Sequence, residues 1–269
     1  MAPLASHAIT ILFVLIVIVP VLYIIVLSTQ TPSEFYQYPP DLSIGQAIAE
    51  NYQTAWQRAD MGRLLLNTSF VAVSVSIGKI ILSITAAFAF VYFRFRGKNL
   101  LFIAILATHL LPLPVRIVPT FELMDRLGWI NTFQSLTIPF FASATGMLLF
   151  RQFYQTIPTS LADAARVDGA SPTQFLARIL VPLSKTNMAA LFLIEFIYMW
   201  NQYLWPLIVA NVDATRMVQI GLKQLIATDA AIEWGVVMAG ATMAMLPPLI
   251  VLLLLQKSLV HGLAIDIDK

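Results

Sequence analysis

The sequence predicts an all-α, polytopic membrane protein with six transmembrane helices and a polar helical hairpin on the cytoplasmic side. Three observations carry this. Hydrophobic residues make up 59% of the 269-residue chain and charged residues only 11%, well above and well below the norms for soluble domains. Apolar runs long enough to cross a hydrocarbon layer of roughly 30 Å recur along the whole length. One stretch, 159–182, breaks the pattern with charges, small residues and turn signals. Nothing outside the runs is long enough to bury a soluble core, so residues 1–269 read as one transmembrane domain.

Several chemistries are excluded. The chain has no cysteine, which removes disulfides, thiolate metal sites and thiol catalysis. His7, His109 and His261 lie too far apart for a metal motif, so neither a metal nor a resident cofactor is expected. No Gly-rich phosphate loop and no nucleophile elbow is present. ATP, if it drives this protein, must be bound by another chain. No nucleic-acid partner is expected; the bilayer is the surrounding medium.

The spans follow in order, at about 8–28, 64–93, 100–120, 135–152, 184–208 and 234–256. The apolar run from Ile9 to Leu27 exceeds a signal-peptide core and lacks a clean cleavage site, so the first span is expected to be retained. Segment 29–63 is polar; Pro39-Pro40 breaks any helix, while Asn51 to Ala59 suits a short one. A tight basic turn, Arg94-Phe-Arg96-Gly97-Lys98, separates the second and third spans. Pro112, Pro114 and Pro119 predict that the outer half of the third span is kinked or unwound. Gly128-Trp-Ile-Asn131 predicts a turn before the fourth.

Alternate loops differ in basic residues. The set with the termini, 94–99 and 151–185 holds Arg94, Arg96, Lys98, Arg151, Arg166, Arg178, Lys185, Lys257 and Lys269. The other holds Arg58, Arg63, Arg116, Arg126, Arg216 and Lys223 among more numerous acidic residues. The cluster packed into 94–99 is the strongest signal, and it places both termini and 159–182 in the cytoplasm.

Two charges fall inside spans. Lys79 lies about midway along the second span and Glu195 about midway along the fifth. An isolated charge there costs about 2.5–3.5 kcal/mol, so each needs a partner or a water-filled cavity. Pairing with each other and lining a polar pathway both fit. The fifth span also carries Glu195, Tyr198, Gln202 and Trp205 at intervals of three, four and three, one helix face, with Asn201 at its border. Aromatic faces and amides suit a polyol or sugar; interfacial anchoring and interhelical hydrogen bonds are the other reading. His109 and Arg116, in the broken third span, complete the pathway candidates.

The polar stretch reads as two short helices. Ser160 is expected to cap the first, with Asp163 three residues on in the capping-box position. Gly169 stands where a left-handed terminating residue is needed. Ser171, Pro172 and Gln174 have the pattern of a second capped start, and Pro182 is expected to close the unit. Ala162, Ala164 and Ala165 give it a small-residue face, and Asp163, Arg166 and Asp168 its charge. That combination suggests a docking surface for a soluble partner.

At this stretch the chain resembles the ABC importer permeases. Asp163-Ala164-Ala165, Asp168-Gly169-Ala170 and Ile179-x-Val-Pro182 are similar in residues and spacing to their EAA motif, with Asp163 in place of Glu and Val181 in place of Leu. The resemblance covers essentially the whole chain and points to the second-subunit branch of the maltose-type carbohydrate permeases. Leu66-Asn67-Thr-Ser, Phe93-Arg94-Phe95, Leu149-Phe150-Arg151-Gln152-Phe153 and Trp200-Asn-Gln-Tyr-Leu-Trp-Pro206 are most similar to its sn-glycerol-3-phosphate permeases.

The resemblance implies a bacterial inner-membrane protein paired with a second homologous permease. It also implies two copies of a cytoplasmic ATPase holding ATP and Mg, and an extracytoplasmic solute-binding protein. It makes Asp163, Ala164, Ala165, Asp168, Gly169, Ile179 and Pro182 the coupling residues, with the first helix seated in a cleft of the ATPase. A neutral sugar is the alternative substrate to a phosphorylated polyol. An ion-gradient-driven transporter would leave the hairpin unexplained and should show internal repeats. An intramembrane enzyme lacks any paired catalytic constellation.

Overall fold

The computed structural model describes residues 2–109, 111–226 and 232–263. Among the described residues the chain forms helices and no strand. It begins with α1 (Ala2–Leu27), α2 (Pro32–Phe35), α3 (Ile48–Arg58) and α4 (Met61–Tyr92). Next come α5 (Lys98–His109), α6 (Leu113–Arg126), α7 (Phe133–Thr137) and α8 (Ala144–Thr156). The polar stretch supplies α9 (Thr159–Val167), α10 (Pro172–Phe175) and α11 (Val181–Leu183). The chain ends with α12 (Lys185–Trp200), α13 (Leu204–Val209), α14 (Val218–Ile226) and α15 (Trp234–Leu263).

Among the described residues three helices are individually long and apolar enough to cross a bilayer: Ser6–Leu27, Met61–Tyr92 and Trp234–Lys257. The other predicted spans are discontinuous. The third divides into α5 and α6 at Leu111-Pro112, where Pro112 becomes the N-cap of the new helix. A 12-residue α5 is only about 18 Å long, short of the hydrocarbon thickness. The fourth is a pair, Phe133–Phe140 and Ala144–Thr156, bent by 41°. The fifth breaks after Trp200 and resumes at Leu204. The turn at 128–131 forms with positive φ at Gly128 and Asn131.

The described chain falls into two compact units. One comprises Met1–Asn67 with Arg216–Pro247, the other Thr68–Thr215 with Pro248–Lys269. In the first, α1 leaves its apolar surface exposed from Ile9 to Val19, as a helix meant for lipid or for another chain does. The polar segment after it is tightly tied. Ser28, Thr29 and Gln30 are buried; Asn51 of α3 donates to the carbonyls of Ser28 and Gln30 at 3.0 and 2.9 Å. Gln30 donates in turn to the Asp41 carbonyl at 2.7 Å. Buried polar groups must find partners, and here they find backbone.

The second unit holds every site candidate. Its inner core joins Ile84, Ala87 and Phe88 of α4, Phe150 and Tyr154 of α8, Ala162 and Ala165 of α9, Phe175 of α10 and Leu191 of α12. At its other end the Trp205 indole N–H donates to the Ser135 carbonyl at 2.9 Å. The Asn131 side chain accepts from the Asn211 amide at 2.6 Å.

Candidate functional site

The polar stretch is built from its caps inward. Gly169 has φ +75°, a left-handed conformation that an L side chain enters at a cost of roughly 1–2 kcal/mol. Through it the Ala170 amide returns to the Ala165 carbonyl at 2.9 Å, closing the end of α9. Ser171 then starts α10 with a full capping box. Its hydroxyl accepts from the Gln174 amide, and the Gln174 side chain accepts from the Ser171 amide.

Two local expectations are corrected. Pro158, not Ser160, is the N-cap of α9, and no side chain caps it. The fixed φ of proline presets a helix start, which leaves Ser160 inside the first turn. Asp163 therefore lies beyond the capping position and meets Arg166 one turn on at 3.2 Å. Nor does Pro182 end the unit. Helical backbone continues through it to Leu183, just after a π-helical turn at Leu176–Leu180. The chain turns instead at Ser184, whose hydroxyl donates to the Leu180 carbonyl at 2.6 Å; the two flanking helical stretches are bent by 73°.

The small-residue face is also divided. Ala162 and Ala165 are buried in the inner core, so their smallness lets α9 lie close against its own unit. The outward face presents Leu161, Asp163, Ala164, Val167 and Asp168, with Val167 88% exposed. Leu161 and Val167 went unread in the sequence because apolar residues attract no notice in an apolar chain; their exposure on an otherwise polar helix is what marks them. Phe175 was also missed. It is buried, with its ring 5.2 Å from Tyr92 and 6.4 Å from Phe88, and it roots the stretch in the helices above. Ile179 is half-buried beside it.

The second constellation is the buried charge pair. Lys79 of α4 and Glu195 of α12 are both 7% exposed, and the ammonium meets the Glu195 carboxylate at 2.5 Å. The other carboxylate oxygen accepts from the Ser143 hydroxyl at 3.3 Å. Ser143 is itself the N-cap of α8, accepting from the Gly146 amide at 3.0 Å. Three helices thus share one charge-neutral polar node. Ser143 is the member that sequence reading missed; its signal was a serine just ahead of a helical run.

The stripe on the fifth span does not survive as one face, because the helix breaks between its members. Tyr198 is exposed, with its ring 5.3 Å from the Lys79 ammonium. Asn201 is exposed and donates to the Ile197 carbonyl at 2.8 Å. Gln202 and Trp205 are buried. Arg116 is exposed on α6. The His109 side chain lies outside the described residues. Among the described residues no group of three His, Cys, Asp or Glu could hold a metal ion.

Residues 79–265 match the family described as the binding-protein-dependent transport system inner membrane component. The chain belongs to that family. The match begins at Lys79 and contains every candidate above. The sn-glycerol-3-phosphate transport system permease protein UgpE of Rhizobium meliloti is 44% identical over 268 residues, 97% of this chain and 95% of its own length. The protein of that name from Escherichia coli is 43% identical over 272 residues, covering 98% and 96%. The fold is that of a bacterial ABC transporter chain whose crystal structure is described as involved in import of the acidic polysaccharide alginate, with TM-score 0.83, 24% identity and 95% of both chains covered. This is a multi-pass membrane permease, a transport component.

Proposed function

We propose that this chain is the second permease subunit of an ATP-driven importer for sn-glycerol-3-phosphate or a related glycerophosphodiester. The observation that carries the reading is 44% identity, along nearly the whole chain, to relatives named for that transport. The chain crosses the inner membrane six times at about the predicted boundaries, with both termini and 159–182 in the cytoplasm. It pairs with a second homologous permease, two copies of a cytoplasmic ATPase that hold ATP and Mg, and an extracytoplasmic solute-binding protein. It has no ATP site of its own.

The mechanism follows from how α9 is mounted. Its outward face, formed by Leu161, Asp163, Ala164, Val167 and Asp168, docks on the ATPase. Its inward face, with Ala165, is packed on α4 and α8. The left-handed turn at Gly169 and the Ser171 box join α9 to α10, and Phe175 anchors the pair in the core. When the ATPase dimer closes around ATP, displacement of α9 is passed to the long helices by packed side chains rather than absorbed by a loose loop. Ile179 and Pro182 continue the rigid segment to the bend at Ser184.

For the substrate, Arg116 offers an unburied guanidinium that suits a phosphate, and Tyr198 and Asn201 are the exposed members of the stripe. Lys79 is already neutralised by Glu195, so that pair serves as a structural tie. Gln202 and Trp205 are buried, and Trp205 is held by the Ser135 carbonyl. Proteoliposomes containing the assembled importer and its binding protein should accumulate sn-glycerol-3-phosphate only with internal ATP. A preference for a neutral oligosaccharide would overturn the substrate, and accumulation driven by an ion gradient without ATP would overturn the class.

A further inference from the structure

The basic turn between α4 and α5 has more structure than an orientation signal needs. Arg94, Phe95, Gly97, Lys98, Asn99 and Leu100 line an open cavity of about 400 Å³. Gly97, at φ +78°, lets the chain reverse tightly enough to bring Arg94 and Lys98 to one rim. Among the described residues neither cation pairs with a carboxylate. The Lys98 ammonium donates to the Phe93 carbonyl at 3.1 Å, which holds it over the turn and leaves two of its three N–H groups for a ligand. Arg96, also exposed, adds positive charge alongside.

Phe95 and Leu100 are the apolar part of the lining, and from Leu100 an apolar surface continues along the helix. Leu100 is 75% and Ile103 62% exposed; with Ala104 and Ala107, also exposed, they occupy positions i, i+3, i+4 and i+7 of α5, one face. The opposite side of α5 is held by Arg151 of α8, whose guanidinium lies 4.4 Å from the Phe102 ring centre. The exposed face is therefore a fixed surface, cationic at its start and apolar beyond.

We infer that this turn is a binding site for the phosphate headgroup of an anionic phospholipid of the inner leaflet. The phosphate sits between Arg94 and Lys98, and an acyl chain lies along Leu100, Ile103, Ala104 and Ala107. Basic pockets between transmembrane helices on the cytoplasmic side suit such headgroups. An acidic protein surface would match the two cations but not the apolar row that follows them. A lipid here pins the inner end of α5, too short to span the bilayer by itself. The inference rests on the orientation given under Proposed function.

The assembled importer, purified from phosphatidylcholine liposomes containing phosphatidylglycerol, is to be compared with its Arg94→Gln/Lys98→Gln variant by native mass spectrometry of retained lipid. The wild type should retain phosphatidylglycerol in preference to phosphatidylcholine, and the variant should bind it on the order of tenfold or more weakly. Equal retention of the two lipids by the wild type overturns the site whether or not the variant folds, as does unchanged retention by the variant. Displacement of phosphatidylglycerol by inorganic phosphate would make this a free-anion site and also overturns it.

The chain has no native cysteine, so Asn99→Cys can be labelled with an impermeant maleimide from either side. Labelling only from outside overturns the proposed orientation itself. Labelling from inside, together with unselective lipid retention, overturns the lipid site alone. Protection by the ATPase subunit, rather than by phosphatidylglycerol, would assign the turn to a protein contact and overturn the inference.

Discussion

Segments 159–183 and 195–205 start from the same kind of signal, polar residues in an apolar chain, and fold in opposite ways. The first turns its charges outward and its alanines inward: Asp163, Arg166 and Asp168 are exposed, while Ala162 and Ala165 are buried. The second turns its charge and one amide inward, burying Glu195, Gln202 and Trp205. The difference lies in burial. An exposed charge is solvated where it stands, so packing alone decides which face is buried. A buried charge must be partnered, and Glu195 collects both Lys79 and Ser143.

The strongest way to break this comparison is at the buried pair. Lys79→Met leaves the Glu195 carboxylate without its counter-charge and should destabilise the protein by about 4 kcal/mol, read as a lowered midpoint of thermal denaturation in detergent. Adding Glu195→Leu should recover most of the loss, since an apolar pair of similar volume is close to neutral. Additive losses would instead mean that the two side chains are not energetically coupled, which overturns the pair as a structural tie.

Phe175→Ala tests the other segment at its root. Removing the ring from the inner core should cost about 3 kcal/mol and sever α9 from α4. ATP-dependent uptake should fall more steeply than the amount of assembled complex. Equal falls would mean that Phe175 serves folding only.

Gly169→Val forces a β-branched residue into the left-handed region, at a cost of roughly 1–2 kcal/mol. The protein should still assemble, with ATP hydrolysis persisting and uptake lost. Normal uptake by this variant would sink the coupling role.

Ser171→Ala removes the cap of α10 for about 1 kcal/mol, with a small fall in the thermal midpoint and a partial loss of uptake. The smallest effect is expected from Asp163→Ala. Its bond to Arg166 is exposed and contributes less than about 1 kcal/mol, so thermal stability should not move. Co-purification of the ATPase should weaken, because the carboxylate faces outward. An unchanged complex would leave the outward face to Leu161, Val167 and Asp168.

Composition and spacing alone settled the class of the protein, the position of the polar stretch, the left-handed turn at Gly169 and the Ser171 cap. These are properties of one residue or of a few consecutive ones: proline lacks an N–H, glycine lacks a Cβ, and a serine hydroxyl reaches an amide three residues on. The same local chemistry flagged Lys79 and Glu195 as groups in need of partners.

Which partners they took, only the tertiary structure decided. Nothing in the spacing ties Lys79 to residue 195 or brings Ser143 to the same carboxylate, because proximity across 116 positions arises from helix packing. The division of Ala162, Ala164 and Ala165 between core and surface has the same origin. So does the break after Trp200, which turned a regular stripe into two separate surroundings. Periodicity describes a single straight helix; a bend, a buried face and a shared counter-charge each depend on what packs against it.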